Sequence, residues 1–315
     1  MYVQSKSTAA VPVVTVPPPT AVMVSLRSFF GAPCRRLVSK GDTVRLGQPI
    51  GQPAEGGAWV HAPVSGTVRA VNTSAVVIEN DFHSTPVSDN SPIVAPEDLH
   101  PQFLRHRLAH SGILTEKQRP LPLWKEGACQ VLVLSFLSQN PWEPDPMLLF
   151  PSDRIFGGFR LLKKLLQPRR TVILSDRRHS LSGALALAFG HGAELLTVDN
   201  RSSSAVLRRL MPSEHTLLFS PRNCIAVWEA VWLDQPFISQ TVLIGGPGLC
   251  APVAVRVPLG TSAAHILSAV SGEEAALQLA ESVHSVIGKT NEALLCTCPT
   301  PTDPDSDGSC PDSGS

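Results

Sequence analysis

One stretch, Phe30 to Asp81, restricts the fold more than any other part of this chain. It reads FGAPCRRLVSKGDTVRLGQPIGQPAEGGAWVHAPVSGTVRAVNTSAVVIEND. Its apolar runs are too short for helices. Gly41-Asp42, Leu46-Gly47 and Ser65-Gly66 interrupt them at close intervals, the pattern of short strands joined by tight turns. Gly41, Gly47 and Gly66 sit where the chain must reverse, and glycine reaches positive φ without a Cβ clash. Val64, Thr67, Val68 and Val71 are β-branched residues that suit a half-buried pleated surface.

The two phrases Lys40–Ile50 and Val60–Val68 together mark a barrel-sandwich hybrid, the fold of biotinyl and lipoyl domains. A prosthetic-group carrier of that fold needs a lysine at the tip between its two phrases. The interval from Gly51 to Val60 has none, so the unit is read as structural.

Composition limits the rest. The 315 residues suffice for two domains or for one with appendages. Lys plus Arg (26) equals Asp plus Glu (26), which argues against nucleic acid as a partner. No apolar run reaches the roughly 18 residues of a membrane span. Pro12, Pro17, Pro18 and Pro19 break the apolar N-terminal stretch, so it does not read as a signal peptide. Seven cysteines, with no C-x-x-C pair, do not form a disulfide framework.

In chain order, residues 1–20 read as unstructured and 21–92 as the barrel. Residues 97–250 read as an α/β domain, 251–290 as a partial further domain, and 291–315 as an unstructured tail. Asp98–His110 is expected to be a helix with Leu99, Phe103, Leu104 and Leu108 on one face. A second helix is expected from an N-cap at Ser152, with Ile155, Phe159, Leu162 and Leu166 inward and a stop at Pro168. Strands are expected at Cys129–Ser135, Thr171–Ser175, Glu194–Val198, Thr216–Phe219, Thr241–Ile244 and Val253–Val257. Helices are expected at Leu181–Phe189, Cys224–Leu233, Ala263–Val270 and Glu273–Ile287. The strand–helix–strand order implies a mostly parallel sheet.

The residues resemble the RnfC family, a component of the Rnf-type ion-translocating electron-transport complex of bacterial membranes, from Val16 to about Gly272. The resemblance rests on Phe30-Gly31-Ala32-Pro33, Gly41-Asp42, Gly47-Gln48, His61–Gly66 and above all Ile78-Glu79-Asn80-Asp81. Glu143-Pro144, the Asp153–Leu166 helix, Ala226–Val231 and Val257–Thr261 also fit. The related component of the sodium-translocating NADH-quinone reductase shares this layout and is the nearest competitor. The resemblance implies α/β plus all-β architecture: an N-terminal barrel-sandwich hybrid, a central Rossmann-like domain that in the family carries flavin, and a remnant of a β-grasp domain. It also implies other subunits of a membrane complex as partners and a peripheral place on the cytoplasmic face of the inner membrane.

Two departures bear on cofactors. The family has a Gly-rich loop after the position of Ser111-Gly112-Ile113, where backbone N–H groups would cradle FMN or NADH phosphates. This chain has no glycine from Ile113 to Glu126, and Pro120 and Pro122 remove donors. The family also carries two 4Fe-4S clusters on closely spaced cysteine quartets. Cys296, Cys298 and Cys310 do not have that spacing. The chain therefore reads as a shortened, cofactor-poor docking or scaffolding member. The alternative is an FMN- or NADH-binding electron-input module. Glu143 is the one candidate cofactor contact, against its plainer reading as a turn residue among prolines.

Other features read as structural. Gly245-Gly246-Pro247-Gly248 is a connecting turn, because a phosphate loop would lead into a helix. Arg177-Arg178-His179 and Asp199 follow strands without accompanying glycines, and read as loop residues. Trp228 and Trp232 share a helix face with Ile225; core packing is the simpler account, and partner contact the sharper one.

Overall fold

The computed structural model describes residues 13–27, 34–54, 57–83, 100–115, 120–122, 127, 129–137, 149–176, 192–198, 215–245, 253–271 and 293–295. Its described strands form four sheets.

Two sheets make the N-terminal barrel. The first has the order β2 (Ala21–Ser25), β8 (Ala75–Asn80), β7 (Gly66–Val71), β4 (Thr43–Val44), and all its pairs are antiparallel. The second joins β3 (Arg35–Arg36), β5 (Pro49–Gln52) and β6 (Val60–His61). Alternate residues of β2 point inward. Val22, Val24, Leu26, Val44, Ile50, Val68, Val76 and Ile78 fill the space between the sheets. The turn glycines behave as their spacing requires: Gly41 and Gly47 have φ of 95° and 83°. Gly66 is tied more tightly still, since a Cβ there would stand 1.8 Å from the carbonyl oxygen of Glu79.

The central sheet is wholly parallel, with the order β11 (Glu194–Val198), β10 (Arg170–Asp176), β9 (Val131–Ser135), β12 (Thr216–Phe219). Its middle strands are nearly continuous apolar runs, as expected of strands buried on both faces. Helices α1 (Pro101–His110), α2 (Ser152–Leu166) and α3 (Pro221–Trp232) supply the core on one face. Helices α2 and α3 approach closely at Gly158, where a Cβ would stand 1.8 Å from the carbonyl oxygen of Cys224.

The remaining sheet has the order β1 (Val13–Val14), β14 (Val253–Pro258), β13 (Ser239–Gly245), β15 (Ala293–Leu295). The β13–β14 pair is antiparallel, and the two outer pairs are parallel. Helix α4 (Ala263–Ser271) covers it through Ile266 and Leu267.

Several local expectations change. Pro151, not Ser152, holds the N-cap position of α2, and it makes no side-chain capping bond. Phe103 leaves the inner face of α1 and is 49% exposed, whereas Leu104 and Leu108 are buried. Phe103 is instead covered by the Arg107 guanidinium at 5.5 Å. The segments read as unstructured at both ends contribute strands β1 and β15. A two- or three-residue strand carries no periodic signal; each exists because a distant strand offers it unpaired backbone. The expected helices at Leu181–Phe189 and Glu273–Ile287 lie outside the described residues.

Candidate functional site

In an open parallel sheet, ligands bind beyond the carboxyl ends of the strands, where the strand order reverses. Here the reversal falls between β9 and β12. The residues at that edge are Ser135 at the end of β9, Phe136 after it, Asp176 at the end of β10, and Ser220 after β12. The segment following α1 and the first turn of α3 border them.

The segment after α1 is the place where the resemblance implies a phosphate cradle. Helix α1 ends as a helix should: Ser111 donates from Oγ to the Leu108 carbonyl at 2.7 Å, and Gly112 follows with φ of 74°. Then Ile113, Leu114 and Thr115 turn inward and are buried. Ile113 joins the main core. Leu114 pairs with Pro120 in an isolated antiparallel bridge. Its carbonyl accepts a 3.0 Å hydrogen bond from Asn223 Nδ2.

That bond ties the segment to the first turn of α3. Asn223 Oδ1 accepts from the Ser220 amide at 3.1 Å and from Ser220 Oγ at 2.7 Å. Ser220 and Asn223 occupy the two positions of a capping box at the start of α3. Pro221 at the helix start has no N–H to offer. At this terminus Pro221 removes one amide, and Asn223 Oδ1 is engaged by Ser220. Phe136, fully buried, fills the start of the crevice beside Phe156, with ring centroids 6.5 Å apart. In the described part of this edge, apolar side chains and the Ser220–Asn223 pair stand where the resemblance implies open amides.

Asp176 is the one buried carboxylate at this edge among the described residues, beside the equally buried Ser175. No sequence signal singles out Asp176, because an aspartate ending an apolar strand looks like the start of a turn. Glu143, Arg177-Arg178-His179, Asp199 and Cys296, Cys298 and Cys310 lie outside the described residues. No group of three or more metal-ligating side chains occurs among the described residues. Trp228 and Trp232 stack on each other at 5.9 Å. The Arg154 guanidinium lies over the Trp228 ring at 4.7 Å.

The phrase Ile78-Glu79-Asn80-Asp81 has a structural duty. Ile78 is fully buried in the barrel core. The Asn80 amide donates to the Thr20 carbonyl at 2.9 Å, and Asn80 Nδ2 donates to the Pro19 carbonyl at 2.9 Å. The Asp81 amide donates to the Ser65 carbonyl at 3.1 Å. Asn80 thus pins the strap that links β1, in one sheet, to β2, in the barrel. At the far side of the strap, the Met23 amide donates to the Gly260 carbonyl at 2.9 Å. No described helix is long and apolar enough to cross a membrane.

The N-terminal barrel has counterparts among known proteins. Residues 2–90 match the RnfC Barrel sandwich hybrid domain. The C component of the ion-translocating oxidoreductase complex of Serratia proteamaculans is 24% identical over 91% of this chain and 46% of its own length. The C component of the Na(+)-translocating ferredoxin:NAD(+) oxidoreductase complex of Acetobacterium woodii is 28% identical over 61% of this chain and 48% of its own. The C component of the proton-translocating ferredoxin:NAD(+) oxidoreductase complex of Clostridium ljungdahlii is 24% identical over 82% of this chain and 64% of its own. The chain spans 46% to 64% of the length of these relatives. Among solved structures, an NAD+-reducing [NiFe]-hydrogenase in the H2-reduced state aligns at 12% identity and a TM-score of 0.41, over 54% of this chain and 39% of that chain. That likeness is too distant to carry an argument. Residues 2–90 thus match the RnfC Barrel sandwich hybrid domain, and over most of its length the chain is similar to the C component of ion-translocating oxidoreductase complexes.

Proposed function

We propose that this protein is a peripheral subunit of a bacterial membrane electron-transport complex, held by other subunits at the cytoplasmic face of the inner membrane. In this reading it docks or scaffolds, with flavin binding weakened or lost. Its relatives are named as subunits of ion-translocating oxidoreductase complexes, which supports other subunits of such a complex as its partners. The observation that carries the docking reading is the Asn223–Leu114 bond. It fastens an apolar segment and a self-capped helix across the position where a phosphate cradle would open. The strand order β11-β10-β9-β12 supports a Rossmann-like origin for the central domain. A β13–β14 hairpin with α4 packed on it and β15 parallel to β13 supports a β-grasp-like third unit.

The second reading is an FMN- or NADH-binding electron-input module. The sheet reversal between β9 and β12, with Asp176 buried at the adjoining strand end, favours it. Anaerobic purification followed by an absorption spectrum, and calorimetric titration with FMN and NADH, separates the two. The docking reading expects no flavin or iron–sulfur absorption at near-unit stoichiometry and no micromolar binding. Either signal would overturn it in favour of the second.

A further inference from the structure

The charges of the chain balance overall, but not locally. Arg160, Lys163 and Lys164 lie in the last turns of α2, and Arg169 and Arg170 follow it. Arg105 reaches over from α1 and donates from Nη2 to the Leu165 carbonyl at 3.5 Å. Lys163 leans the other way: its Nζ stands 3.3 Å from where a Cβ on Gly192 would be, just ahead of β11. These six side chains form a collar around the carboxyl end of α2. Arg160, Lys164, Arg169 and Arg170 are exposed.

Neighbouring negative charge is scarce among the described residues. Glu194 is held by Arg170, whose Nε donates to it at 2.8 Å. Asp153 lies at the opposite end of α2. At about 1.5 Å per residue it is roughly 10 Å or more from the collar, beyond a Debye length of about 8 Å. On the α3 side, Glu229 is bound by Arg256 and Asp234 by Arg107. Cations at a helix carboxyl end offset its dipole, but that dipole amounts to only about half a unit charge. Lys164 has an interaction of its own and is left out of the balance. Among the described residues the other five cations, against Glu194 and that half charge, leave a surplus of roughly three to four.

We propose that this collar is a docking surface for an acidic protein face. Four of its six cations are arginines, whose forked guanidinium groups pair with carboxylates in a way a lysine cannot. Arg170 already holds one carboxylate, with Nε and Nη2 both donating to Glu194 Oε2. Arginine is enriched at protein interfaces and lysine depleted. A lipid-binding helix would pair its charge with exposed apolar residues. The exposed large apolar side chains among the described residues are Val13, Met23, Leu37, Phe82, Phe103 and Leu233, none of them on α2 or the turn after it. The collar sits on a firm base, because Ile155, Phe159 and Leu162 of the same helix are fully buried. The proposal does not depend on the family or on the cofactor state of the chain.

The test uses the full chain and a fluorescein-labelled peptide of repeating Glu-Glu-Ser-Gly units, followed by anisotropy at low and physiological salt. A Gln-Gln-Ser-Gly peptide is the neutral control. Binding of the acidic peptide, weakening as salt rises, is expected. The combined Arg160→Glu, Lys164→Glu, Arg169→Glu variant is expected to bind about tenfold or more weakly. Reversing Arg36, Lys40 and Arg45 on the barrel to Glu should change binding less than about twofold. If the triple variant fails to fold, Arg160→Gln and Arg169→Gln singly serve instead, each expected to weaken binding severalfold. No binding, equal loss in the barrel variant, or equal binding of the neutral peptide overturns the proposal. So does sedimentation with phosphatidylcholine–phosphatidylglycerol vesicles in place of peptide binding, which would make the collar a lipid contact.

Discussion

Glu229 of α3 accepts two hydrogen bonds from Arg256 of β14, from Nη1 and Nη2, each at 2.9 Å. The pair crosses from the parallel-sheet unit to the mixed sheet. Arg256 is fixed further by Ser239 Oγ on β13. Arg154 of α2, spread over Trp228, comes within 3.9 Å of the same carboxylate. One acidic side chain therefore gathers two helices and a hairpin.

Because Glu229 is buried and Arg256 is exposed, removing either partner should have unequal effects. Arg256→Ala leaves a buried carboxylate with only the distant Arg154 and is expected to cost about 2–3 kcal/mol. Adding Glu229→Gln to it should recover part of that loss. Urea unfolding of the two single variants and the double variant gives the coupling directly.

Gly158 and Gly41 make a matched comparison. A Cβ at Gly158 meets the Cys224 carbonyl oxygen at 1.8 Å, so Gly158→Ala must push α2 away from α3. About 3 kcal/mol or more is expected, with loss of soluble protein. At Gly41 nothing lies within 4 Å, although φ is 95°. Gly41→Ala is expected to cost only the backbone strain, about 1–2 kcal/mol. Thermal melting of both variants checks the order.

Asn223→Ala should loosen both the first turn of α3 and the segment after α1, since one side chain serves Ser220 and Leu114. The expected loss is about 1–2 kcal/mol. Asn223→Asp keeps the acceptor for Ser220 and loses the donor to Leu114. Because its carboxylate then faces the Leu114 carbonyl with no donor, it should be at least as destabilised as the alanine variant in urea unfolding.

Burial pushes the Cys129 thiol from its ordinary 9.0 up to about 12, against a smaller opposing hydrogen bond from the Leu217 backbone. The folded state therefore holds its proton more tightly than the unfolded chain does. Below about pH 9 the thiol is protonated in both states and contributes no pH dependence. From there to about 12 the unfolded chain ionises first, so stability falls as pH rises. Unfolding free energies measured across that window should fall less steeply in Cys129→Ala than in the native chain. A thiol reagent at pH 8 should spare Cys129 until the protein is unfolded.

The barrel and the central strands were legible because their signals are local. Glycine at 41, 47 and 66 has a steric reason that any neighbourhood respects, and the apolar runs at Val131–Ser135 and Thr171–Ser175 state their own burial. The edge chemistry was less legible. Phe103 matched the inward period of α1, yet Arg107 had to turn toward the Val231 carbonyl and Asp234, and Phe103 stayed outside beneath it. Asp176 carried no motif at all. Its burial follows from the register of β10 against β11, which aligns Asp176 with Val198.

By itself the sequence determined the short-stranded barrel, the run of alternating strands and helices, and the missing glycines after Gly112. Each depends on φ preferences, hydrophobic period or donor count, which act within a few residues. Only the tertiary structure decided that Val13–Val14 adds to β14, that Asn80 pins the strap between the two sheets, and that Glu229 selects Arg256. Those pairings join residues far apart in the chain. Many side chains offer the same chemistry, and the packed backbone alone brings one pair within hydrogen-bond reach.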